Sequence, residues 1–212
     1  TRPYRGMKLE DIEILHALHE WKVEADYSSA VRLLEPFVRQ LEQKEDSLAN
    51  RNKYYRPLSY LKEKLLLWEI KQQVDSVNVG DSVRPYLKKD MLEGVYCDDG
   101  RRTYYWEGNQ MINTLIAYRI IKNDPSLCKL KENMQLYILR TKERGWNTYQ
   151  ASSAVATVLT DLLAGSGGMS GTSVSVSGKD HQRITEFPYH ARLIAGDSLL
   201  ISKTGKEPLL YS

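Results

Sequence analysis

The feature that most constrains this chain is a change of hydrophobic period. Over the first 165 residues apolar side chains recur about every third or fourth position, the spacing that lines one face of an α-helix. After the run Gly165–Gly168, "GSGG", they alternate instead, as in "TSVSVSG". Alternation places successive side chains on opposite faces of a strand. The chain therefore reads as mainly α over 1–165, with a linker and a small C-terminal β segment over 166–212. Some 40 residues of strand cannot bury a core of their own. The strand signals "TSVSVSG", "RITEFPYHARLI", "SLLISKTG" and "PLLYS" are expected to pair with one another as a small meander, with pairing to a second copy as the rival.

Within the helical part, Leu9, Ile12, Leu15 and Trp21 open a first helix near Lys8. Ser28 and Ser29 are cap candidates for a second, carrying Val31, Leu34, Phe37, Val38 and Leu41, with Pro36 predicting a kink or a late start. Arg56-Pro57 is expected to begin a third, with Leu58, Leu61, Leu65 and Trp68 on one face. A weaker fourth is placed over 79–89, around Pro85, and a polar aromatic connection follows from Gly94 to Asn109. A fifth carries Met111 to Ile120 and stops at Pro125; Ser126 is the expected cap of a sixth, running to Lys142. "GWNTYQASSAVATVL" begins a seventh, with Thr148 as its expected cap. The helices come in short-loop pairs without a fixed repeat period, which points to an irregular helical array or an α/α toroid.

Composition removes several classes. A net charge of +3 without a basic run offers nucleic acid no binding track. No stretch approaches 18 consecutive apolar residues, so no membrane insertion is expected. The chain opens on Thr1 and shows no signal-peptide pattern, so it reads as a processed or excised piece. Cys97 and Cys128 make neither a disulfide framework nor a metal spacing, and two unpaired thiols are the expected state.

Three stretches invite a chemical reading. His16, His19 and Glu20 form "HALHE", and two histidines three apart on one helix face can ligate zinc if a further ligand comes from elsewhere. The pattern is neither H-E-x-x-H nor H-x-x-E-H, so a partly buried or solvated helix face is the expected reading, with no cofactor and no metal. Glu93, Asp98, Asp99 and Glu107 surround the aromatics Tyr104, Tyr105 and Trp106, as a glycosidase acid pair beside sugar-stacking rings would. Turn formation by the acids and packing by the rings are the commoner uses. Ser152 and Ser153 have no histidine or lysine nearby in sequence to act as base, so that run reads as structural.

Taken together, "GVY", then "YYW" with Tyr105 and Trp106, then "MINTLIAYRIIKND" and "LKENMQLYILRTKERGWNTYQASSAVATVL" resemble the thioester domain of bacterial alpha-2-macroglobulin-like proteins. Trp146 and Thr148 match that family's W-x-T, and Ala151 and Ser152 match its A-T with serine for threonine. "SLLISKTGKEPLLYS" is similar to the β segment that follows the toroid. The resemblance covers about 75–212, and 1–74 only by helical texture. It implies part of an α/α toroid built of helical hairpins, with the start of a CUB-like β domain. It also implies a protease trap, non-enzymatic and periplasmic, cell-surface or extracellular, whose partners are proteases or other proteins. The family's "CGEQ" thioester motif is absent, and Cys97 lies in "VYCDDG" instead. Two other classes stay open: an α/α-toroid enzyme acting on polysaccharide, and a helical-repeat interaction module. A homo-oligomer through the C-terminal β segment is a further expectation.

Overall fold

The structure, a computed structural model, describes residues 6–103, 110–141, 147–165, 173–177, 181–184 and 200–204. The chain divides into two compact units, 1–157 and 158–212.

The first unit is mainly helical. It contains α1 (Glu10–Glu20), α2 (Tyr27–Arg51), α3 (Leu61–Val74), the single turn α4 (Gly80–Val83), α5 (Gln110–Ile121), α6 (Cys128–Thr141) and α7 (Thr148–Ala154). A two-stranded antiparallel hairpin, β1 (Leu87–Lys89) and β2 (Val95–Cys97), interrupts the helices. The core is built on α3, which buries Leu61, Leu65, Leu66, Leu67 and Ile70 together with Glu63 and Glu69, and on α5, which is apolar nearly all round. Such helices must be covered on every side. Helices α1, α2 and α5 pack on α3, while α6 and β2 pack on α5. Leu65, Ile70, Leu115, Ala117 and Tyr118 are almost wholly excluded from water. By contrast α2 is amphipathic, burying Val31, Leu34, Phe37 and Val38 while its charged face stays wet.

Several local expectations are corrected. Helix α2 is capped by Asp26, whose carboxylate accepts from the Ser29 N–H, so neither Ser28 nor Ser29 is the cap. The helix continues through Pro36, forgoing the bond a proline nitrogen cannot give. Pro57 does not begin α3. The Arg102 N–H donates to the Pro57 carbonyl and the Ser59 N–H to the Arg102 carbonyl, so this stretch is bridged to a distant loop and the helix starts at Leu61. The expected fourth helix over 79–89 ends as a 3₁₀ turn at Arg84–Tyr86, and its last residues form β1. The Asp90 carboxylate accepts from the N–H groups of Leu92 and Gly94, closing the hairpin loop with Glu93 left-handed at φ 65°. Asp124, rather than Ser126, caps the 3₁₀ turn Pro125–Leu127 that leads into α6.

Trp21 was expected on the apolar face of α1 but lies just past its end, 77% exposed. Helix α7 is capped by Asn147 and not by Thr148. The Asn147 side chain accepts from the Gln150 N–H, and the Gln150 side chain accepts in return from the Asn147 N–H. Thr148 is the first helical residue. Both residue types cap well, and the reciprocal glutamine three positions on selects Asn147. A π-helical turn, Val155–Leu159, follows α7.

The second unit holds α8 (Thr160–Gly165) and a three-stranded antiparallel sheet of β3 (Ser173–Ser177), β4 (His181–Ile184) and β5 (Leu200–Thr204). The strands do pair with one another, as the alternating pattern predicts. The order is β4-β3-β5, so β3 is central and a simple meander is corrected. Val174 stands between Ile184 and Lys203, and Val176 between Gln182 and Ile201.

Candidate functional site

Among the described residues of the first unit, ionisable groups from three helices meet at Glu69 of α3. Its carboxylate is 4% exposed, and a buried carboxylate is costly unless it is paired. Arg119 of α5 donates from Nε to Oε1 at 2.6 Å and from Nη2 to Oε2 at 2.7 Å, the planar two-point grip that suits a guanidinium. His16 of α1 adds a third contact, Nε2 to Oε2 at 2.9 Å. Burial alone would raise the Glu69 pKa; the hydrogen bonds from Arg119 and His16, with their charges, outweigh it and hold the carboxyl down to about 2. Three helices thus converge on one ionised carboxylate.

A cleft of about 600 Å³ opens beside this cluster. Leu66, Ile112 and Ile116 supply apolar wall, and Trp21 stands at its margin. Glu13 and Lys62 form an ion pair within it. Ser152, Ser153, Ala156 and Thr157 also line it, so folding brings these residues into the same cleft as His16 and Lys62. Their separation along the chain hid this relation.

The two histidines of "HALHE" do not converge. His19 turns its ring edge-on to Tyr27, with centroids 4.9 Å apart. Instead Glu20, one helical turn beyond His16, approaches the His16 Nε2 to 3.8 Å. The ligand atoms of His16, Glu20 and Glu69 all lie within 4.8 Å of one another.

Of the acids proposed from sequence, Asp98 and Asp99 take separate partners. Asp98 accepts from the Lys88 ammonium at 3.1 Å and from the Gly100 N–H. Asp99 accepts from the Ser59 hydroxyl at 2.7 Å and from the Arg101 N–H. Glu93 is exposed at the hairpin loop. Glu107, with Tyr104, Tyr105 and Trp106, lies outside the described residues, as does Trp146. Ala151 is half-buried in α7, its N–H bonded to the Asn147 carbonyl, and Ser152 is exposed. Cys97 and Cys128 are both free thiols, one buried and the other exposed. Burial, then the charges of Asp98 and Asp99, push the Cys97 thiol up to about 12.

Two buried carboxylates carried no sequence signal. Glu45 of α2 accepts from the Tyr55 hydroxyl at 2.8 Å and from the Leu58 N–H at 2.9 Å, fixing the chain that leads into α3. Glu63 of α3 is also buried, and desolvation raises its pKa, opposite to Glu69 on the same helix. A second cleft, about 360 Å³, lies between α2 and α3, where Lys64 pairs with Glu42 and Lys71 with Glu35.

No protein-family model, no curated protein and no solved structure matches this chain.

Proposed function

We propose that the chain is a non-catalytic helical scaffold from a macroglobulin-like protease trap or cell-surface protein, acting beyond the inner membrane and binding endopeptidases or other proteins. The observation that carries the non-catalytic part is the employment of the acids. Asp98 and Asp99, two of the four acids a polysaccharide-cleaving enzyme could use here, each accept a side-chain and a backbone hydrogen bond that tie their loop to β1 and to the residues before α3. These two are placed as anchors of their loop.

The placement of the helices supports the rest of the reading. In an α/α toroid of hairpins, inner helices are apolar all round and outer ones are amphipathic. Here α5 has the first character and α2 the second, while α3 is largely buried but carries charged residues as well. Tyr105, Trp106, Trp146, Thr148, Ala151 and Ser152 are structural residues in this reading. The sheet β4-β3-β5 belongs to the adjoining β domain and offers pairing edges to a second copy.

Incubating the chain with soluble polysaccharides and reading new reducing ends tests the catalytic alternative. No release is expected. Release that is lost in Asp98→Asn or Asp99→Asn would overturn the proposal in favour of a glycosidase. Direct binding of an active-site-blocked endopeptidase, read by light scattering, tests the partner class.

A further inference from the structure

We infer that His16, Glu20 and Glu69 form a site for one divalent transition-metal ion, with Zn²⁺ the best-suited species. Three observations carry this. The three ligand atoms come from two helices and lie within 4.8 Å of one another, with the His16 Nε2 at 2.9 Å from the Glu69 Oε2 and 3.8 Å from the Glu20 Oε1. Zinc bonds of about 2.0–2.1 Å at tetrahedral angles set ligand atoms about 3.3 Å apart, between those two distances. Small side-chain rotations suffice, because Glu20 is 53% exposed and free to swing.

The second observation is the cleft of about 600 Å³ beside the cluster. Three protein ligands with an open fourth side match a zinc site that keeps a water, unlike the closed four-ligand structural type. The third is the held geometry of Glu69. Arg119 grips both of its oxygens, fixing the carboxylate plane as an outer partner of a metal ligand does. Arg119 also opposes an added cation. Glu13 and Glu20 balance Lys62 and Arg119 along the cleft, and Glu69, buried beside it, adds the one negative charge in excess.

The proton balance is simple. In the empty site the His16 Nε2–H faces Glu69; the cation takes that place, and the proton moves to Nδ1. A neutral imidazole then ligates through Nε2, any second ring proton passing to buffer, and Glu69 and Glu20 bind as carboxylates. An imidazole in the set disfavours Mg²⁺ and Ca²⁺, which take oxygen ligands. The ion would lock α1 onto α3, adding to the ion pair of Glu13 with Lys62.

The test is calorimetric titration of the tag-free chain with Zn²⁺, with Co²⁺ as a spectroscopic probe. One equivalent is expected, with a Co²⁺ visible spectrum lacking thiolate charge transfer. His16→Ala should weaken binding by roughly 100-fold or more and Glu20→Gln by roughly 10–100-fold. His19→Ala and Cys128→Ser should leave it unchanged. Glu20 is exposed, so Glu20→Gln keeps the fold even if His16→Ala does not. No heat beyond that of the His16→Ala/Glu20→Gln double variant overturns the site. So does binding that survives Glu20→Gln and disappears with Cys128→Ser or His19→Ala.

Discussion

Replacing Arg119 with leucine removes both donors from Glu69 while keeping side-chain bulk on α5. What remains is a carboxylate that is 4% exposed, with His16 as its neighbour. Its pKa in the fold is about 2, against an ordinary 4.5. That difference, at about 1.4 kcal/mol per unit, corresponds to roughly 3 kcal/mol of stability in the ionised state. Breaking one partner of a buried ion pair costs about 3–5 kcal/mol by general experience, so the two figures agree in size. The sign follows from the direction of the shift. A depressed carboxylate stabilises the fold above its unfolded pKa, and the contribution is lost as pH falls from about 4.5 to about 2. Urea melts of the native chain across pH 7 to 2 should therefore show an acid limb in this window. In Arg119→Leu the neutral-pH stability should drop by about 3–5 kcal/mol and the acid limb should flatten. A drop under about 1 kcal/mol with the limb intact would mean that the pair is solvent-screened and holds nothing.

Glu63 provides the contrast: its pKa is raised by burial, so Glu63→Gln should leave stability at neutral pH equal or higher, whereas Glu69→Gln should lower it in the same urea assay. Asn147→Ala should cost about 1 kcal/mol by losing the reciprocal cap, and Thr148→Ala clearly less, read from thermal melts. A thiol reagent should titrate Cys128 alone in the native chain and both cysteines in denaturant, and amine treatment should release no thiol from Cys97. Deleting 166–212 should leave the helical circular dichroism nearly intact, since the core of the first unit lies wholly upstream.

The helices that were legible in sequence are those with a long apolar period. Val31, Leu34, Phe37 and Val38 on α2 are buried as the pattern predicts, as are Leu115, Ile116 and Ile120 on α5. Their ends were less legible, because several residues compete to cap and the winner depends on reciprocal bonds, as with Asn147 and Gln150. The hairpin β1–β2 was hidden because three-residue strands carry no period, and its signal is a single Asp90 bonding two N–H groups of its own loop. The Glu69 cluster was least legible of all. His16, Glu69 and Arg119 stand 53 and 50 positions apart, on three helices whose packing alone brings them together. Within "HALHE", His19 faces Tyr27 while Glu20 shares the cleft with His16.

The most direct test of the scaffold reading uses the native protein that carries this chain, isolated from its source through an antibody raised against residues 1–157. Incubated with an endopeptidase, a trap should leave cleavage of a small chromogenic peptide intact and suppress cleavage of a large protein substrate, with the endopeptidase retained in the complex on native sizing. Equal cleavage of both substrates, with no retained endopeptidase, would contradict the account.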